Sequence, residues 1–123
     1  MSVLESLQEC WTEIGAAKVA VEDGAYGDYS GAIDAAVDHY EVAFDIFVRI
    51  YGTPNMMDTM RHLLDPFLYS AFCAFCMAGV AADLSEEANA SGEKTDQANA
   101  MNLLHHAFSQ LDDALMRLIG AQA

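Results

Sequence analysis

Apolar residues recur along this chain at alternating steps of four and three, the pattern of helices that each bury one face. Val3, Leu7, Cys10, Ile14, Ala17 and Val21 form the first such seam, widened by Leu4 and Trp11. Ser2 followed by Glu5 makes a capping box in front of it, and Gly24 and Gly27 mark its end. A second seam runs through Ile33, Val37, Tyr40, Phe44, Phe47 and Tyr51, with Asp28 or Ser30 as the cap. Around the helix wheel, Ala36, Ala43, Ile46 and Ile50 extend this seam on one side and Val48 on the other. Polar residues keep one narrow strip: Asp34, Asp38, Glu41, Asp45 and Arg49. A helix apolar over so much of its circumference belongs inside a bundle.

"YGTPN" (51–55) predicts a stop and a restart, with a third helical region opening at Thr53-Pro54 and kinked or split at Asp65-Pro66. After Pro66, "FLYSAFCAFCMAGVAA" carries no charge before Asp83. A membrane span needs ~20 apolar residues, usually with basic flanks. This run is shorter and lies between two aspartates, so a buried helix is expected, with room to pack against a second copy. "SEEANASGEKTD" (85–96) is the one loop of any size, and Thr95 is the expected cap of a last helix. Its seam is Met101, Leu104, Phe108, Leu111, Leu115 and Leu118; Asp113 and Arg117 can pair across one turn, and Gly120 ends it.

A faint echo recurs at an offset of 64: Gly15, Ala17 and Glu22 match Gly79, Ala81 and Glu86, and Ala36, Ala43 and Phe44 match Ala100, Ala107 and Phe108. The expected fold is therefore all-α. It is a single domain over 1–123, a compact bundle of four to five helices with a central apolar helix around 66–84. Two helical hairpins and a homodimer seam complete the expectation.

Charge narrows the partners. Nineteen acids against five bases give −14, and only Lys18 and Lys94 are lysines. Phosphate contacts need cations, so direct binding to nucleic acid or to an anionic membrane surface is excluded. Basic proteins or metal cations match this charge. An odd number of cysteines and acids near the N-terminus, where a signal peptide would be basic, point to a reducing cytoplasm.

The candidate chemistry is thin. "CAFC" (73–76) is a CxxC, but it sits mid-helix among Phe72, Phe75 and Met77, and zinc would need a second pair that Cys10 alone does not supply. The helical alkylhydroperoxidase-like family has a histidine four residues after its CxxC; Val80 stands there in this chain. Small apolar cysteines in a core are the expectation. His39, His62, His105 and His106 lack the paired ExxH motifs of diiron bundles, and His62 with Asp58 and Asp65 reads as a local ion-pair cluster. GxSxG, P-loop, GxGxxG and HExxH are all absent, so neither enzymatic activity, a metal nor a cofactor is expected. "GDYSGAIDAAVDHYEVAF" (27–44), preceded by Trp11 and Gly15, is similar to a tetratricopeptide repeat, although no 34-residue period follows. That resemblance implies a helical-hairpin adaptor or secretion chaperone working through an apolar groove.

The acidic surface carries the remaining signal. Through residue 48 there are ten acids and one base; the rest of the chain has nine acids and four bases. Glu5, Glu9 and Glu13 form one row at helical spacing, and Asp34, Asp38, Glu41 and Asp45 form another. Each step of four advances ~6 Å along a helix, so rows of this kind resemble a ladder of phosphates. The leading expectation is a non-enzymatic binding protein whose rows cover a basic surface of a partner protein, with nucleic-acid-binding proteins among the candidates. Blocking a nucleic-acid groove would make it an inhibitor of the anti-restriction or anti-CRISPR type; neutralising a basic toxin would make it an immunity protein. The alternatives are the adaptor and, lower, a metal-dependent helical enzyme. Acidity kept only for solubility would leave the rows without a partner.

Overall fold

A computed structural model describes residues 2–24, 27–53 and 65–122. Within them the chain forms four helices, α1 (Val3–Gly24), α2 (Tyr29–Tyr51), α3 (Pro66–Ser91) and α4 (Lys94–Gln122), packed as a compact all-helical bundle without strands. The predicted start of a helical region at Thr53-Pro54, and the His62–Asp58 cluster, lie mostly at 54–64, outside the described residues.

The ends follow local chemistry. The Glu5 N–H donates to Ser2 Oγ at 3.1 Å, the serine half of the expected box, while Glu5 Oε1 accepts from the Ser2 hydroxyl at 3.2 Å rather than from its backbone N–H. Asp28 caps α2, accepting from the Gly31 N–H at 3.0 Å, and Gly52 closes it with an N–H to Val48 O at 2.8 Å. Asp65-Pro66 proves to be a helix start: Asp65 accepts from the Phe67 N–H at 2.8 Å, and Pro66 occupies the first turn, where its missing N–H costs nothing.

Three expectations are corrected at the other end. The predicted loop 85–96 is almost wholly helical, because Glu86, Glu87, Ala88 and Ala90 favour helix and only Gly92 and Glu93 interrupt it. Gly92 makes the turn in the left-handed region, with φ +73°, which a side chain would resist. Thr95 is inside α4, whose first backbone bond is from the Gln97 N–H to Glu93 O at 3.0 Å. Gly120 lies within the last turn rather than ending it.

The core is continuous. Leu7, Cys10, Ile14, Ala17 and Val21 on α1 meet the α2 seam, and Met101, Leu104, Phe108, Leu111, Leu115 and Leu118 bury the inner face of α4. α1 pairs closely with α2, and α3 with α4, giving two hairpins that meet chiefly along α1 and α4. The echo at offset 64 has a structural counterpart: Ala17 and Ala81, Ala36 and Ala100, and Ala43 and Ala107 are all buried, while Glu22 and Glu86 are both exposed.

The apolar helix expected near the centre is α3, and it is central on one face only. Ala71, Phe72, Ala74, Phe75, Ala78, Ala81 and Ala82 are buried. Cys76, Met77, Val80 and Leu84 on the same helix are exposed. Among the described residues α3 is the one helix long and apolar enough, by length and composition, to cross a membrane. The core helix of a bundle meets the same criteria, and here the buried face packs against α2 and α4.

Candidate partner-binding face

The two acidic rows do not form one ladder. Asp34, Asp38, Glu41 and Asp45 are all exposed and fall within about 60° of arc on α2. On α1, Glu5 and Glu9 are exposed and Glu13 is half-buried. Glu13 Oε2 lies 2.8 Å from His39 Nδ1, and Glu9 shares a surface hollow with Ile46 and Arg49. α1 thus lies along the flank of α2 that carries His39 and Ile46.

The α2 row is turned to solvent and meets α3 at its N-terminal end. Asp34 Oδ1 accepts from Asn89 Nδ2 at 2.9 Å, tying the row to the last turns of α3. Halfway along, the buried Tyr40 hydroxyl donates to Phe75 O at 2.9 Å. Burial pushes its pKa above the usual phenol value, with smaller contributions from Cys76, Asp83 and Glu41. Gly79 makes that approach possible: a Cβ there would come 3.0 Å from the Tyr40 hydroxyl.

Arg49 closes the α2 strip at its C-terminal end, and the other bases near the N-terminal hairpin pair away from the row. Lys18 Nζ lies 2.9 Å from Asp112 Oδ2, and Trp11 Nε1 donates to the same carboxylate. His105 lies 3.0 Å from Glu22. Among the described residues no salt bridge neutralises Asp34, Asp38, Glu41 or Asp45.

The cysteines divide by location. Cys10 is fully buried, donating to Ala43 O at 3.3 Å; desolvation, and then Glu13 and Glu9, push its thiol up to about 12, which makes it inert at neutral pH. Cys73 is half-buried and Cys76 exposed, none of the three forming a disulfide. The expectation of three core cysteines is thus corrected for Cys76, which helical rotation carries to the outer side of α3. Among the described residues no three His, Cys, Asp or Glu side chains are gathered as metal ligands.

Sequence reasoning missed the apolar half of this face. Met77, Val80 and Leu84 stand out from α3 beside Cys76 and Asp83, on the helix that packs against α2. The signal was present in the uncharged run itself: sixteen residues without charge cannot all face inward on a helix that packs along one side. No protein-family model, curated protein or solved structure matches this chain.

Proposed function

We propose that this is a non-enzymatic binding protein that covers a basic surface of another protein, with the row Asp34, Asp38, Glu41 and Asp45 as the principal contact and Glu5, Glu9 and Glu13 as a second, separate one. One observation carries the reading. Four exposed carboxylates of one sign are held at helical spacing on a helix anchored along its opposite side, and among the described residues no salt bridge neutralises them. Burial of the rest of α2 forces its charges onto this strip but does not fix their sign, and like charges at i, i+4 weaken a helix by a few tenths of a kcal/mol each, so folding alone gives no reason for all four to be acidic. A cationic partner supplies one, and electrostatic attraction would speed its association. An inhibitor that occupies the nucleic-acid groove of its target, or an immunity protein for a basic toxin, fits this chemistry.

The test compares affinity capture from the native host on the wild-type chain with capture on a variant in which Asp34, Asp38, Glu41 and Asp45 are replaced by Lys. The variant's fold is checked by circular dichroism. The expected result is a basic protein retained by the wild type and lost from the variant. A partner retained equally by both would overturn the reading.

A further inference from the structure

We infer that the exposed face of α3 seats a basic amphipathic helix of the partner protein, its apolar side on Met77, Val80 and Leu84 and its cations toward the α2 row. This rests on the reading above and names the shape of the basic surface that is covered. Met77, Val80 and Leu84 are 55%, 61% and 48% exposed, the first two being the most open large apolar side chains among the described residues. With Cys73 they repeat steps of four, three and four, a seam about 17 Å long on the outside of the helix. Such a seam is the complement of another helix.

Two hollows flank the seam on its α4 side. One of about 450 Å³ is walled by Phe67, Cys73, Met77, Gln110 and Arg117; the other, of about 360 Å³, lies between Leu84 and Leu103. Each can take a large apolar side chain from a docked helix.

Charge selects the occupant. No Lys, Arg or His occurs from Pro66 to Ser91. On the α2 side the seam is bordered by the exposed Asp83 and Glu87, and the α2 row lies on the neighbouring helix, where Asp34 is bonded to Asn89 of α3. The α4 side is more mixed, with Gln110, Asp113 and Arg117. A second copy of this chain would bring a −14 molecule against its own carboxylates, and an anionic lipid surface would meet the same repulsion. A helix with leucine-like residues on one side and lysine or arginine along one edge satisfies both halves of the face.

The probe is a fluorescent synthetic peptide of leucine and lysine patterned as an amphipathic helix of about four turns. Its binding to the full chain is followed by anisotropy. Saturable binding is expected, about tenfold weaker for the triple variant Met77→Gln, Val80→Thr, Leu84→Gln, and about tenfold weaker again for Asp38→Lys with Glu41→Lys. A peptide of equal composition with its leucines scattered around the helix should bind about tenfold more weakly than the patterned one. If charge reversal abolishes binding while the triple variant binds like the wild type, the seat on α3 falls and the acidic reading stands. If neither change matters, both fall. A dimer in sedimentation that the triple variant dissociates would make the occupant a second copy and overturn the inference. Flotation of the wild type, but not the triple variant, with neutral phosphatidylcholine vesicles would overturn it in favour of a membrane.

Discussion

The bundle is closed along two seams of different character. Between α1 and α4 the backbones run close, and polar pairs finish the contact: Lys18 with Asp112 at 2.9 Å, Trp11 with the same carboxylate, and His105 with Glu22 at 3.0 Å. Between α2 and α3 the backbones stand farther apart, and rings fill the gap. Phe47 lies 4.5 Å from Phe75 and 5.0 Å from Phe72, centroid to centroid, and Tyr40, Phe44 and Tyr51 extend the cluster. Side-chain size explains the difference, since rings hold two helices apart where alanines would let them touch. The consequence reaches the surface. The aromatic seam is the one bordered by carboxylates that no salt bridge among the described residues neutralises and by exposed apolar side chains, so the two kinds of outward chemistry sit where the fold makes little use of them.

Breaking the aromatic seam should have the largest effect. Phe47→Ala removes a fully buried ring that touches Phe72, Phe75 and Tyr51, and should cost about 3–5 kcal/mol in urea unfolding. Alkaline pH should act on the same seam through Tyr40. Its folded-state pKa is raised above that of the unfolded chain, so its contribution is complete below pH 10 and is lost as pH climbs beyond it. Cys10 has the same sign over a lower window, from 9.0 to about 12. Tyr40→Phe should cost about 1 kcal/mol at neutral pH and flatten the decline above pH 10; Cys10→Ala separates the earlier part. The polar seam should respond less. Asp112→Asn weakens a half-exposed ion pair and should cost up to about 1 kcal/mol at low salt, shrinking as salt is added. Smallest of all, Met77→Gln, Val80→Thr and Leu84→Gln should leave stability within about 0.5 kcal/mol, since none of the three is buried. A large loss there would show that the outer face of α3 belongs to the core.

The fold was legible because periodicity is a property of each helix alone: the seams of α1, α2 and α4 are largely buried, except that Val3 and Trp11 on α1 are exposed and Phe44 and Tyr51 on α2 are half-buried. The turn at Gly92 was misread over 85–96 because Ser, Asn and Lys suggest a loop, whereas Ser85 is buried and its hydroxyl donates back to Ala81 O at 2.7 Å. The site was legible in part. Spacing placed each acidic row on its own helix, but how α1 rotates against α2 depends on contacts such as Glu13 with His39, which no single-helix pattern contains. The outer stripe of α3 was hidden for a related reason. A helix apolar on all sides does not say which side its neighbours leave open, and here the packing of α3 against α4 and α2 decides it.

The most direct test of the acidic face is the salt dependence of affinity for the captured partner, measured for the wild type and for the variant with Lys at positions 34, 38, 41 and 45. The wild type should lose affinity steeply as salt rises, and the variant should bind weakly with a flat or inverted dependence. Equal affinity and an equal salt slope for the two proteins would contradict it.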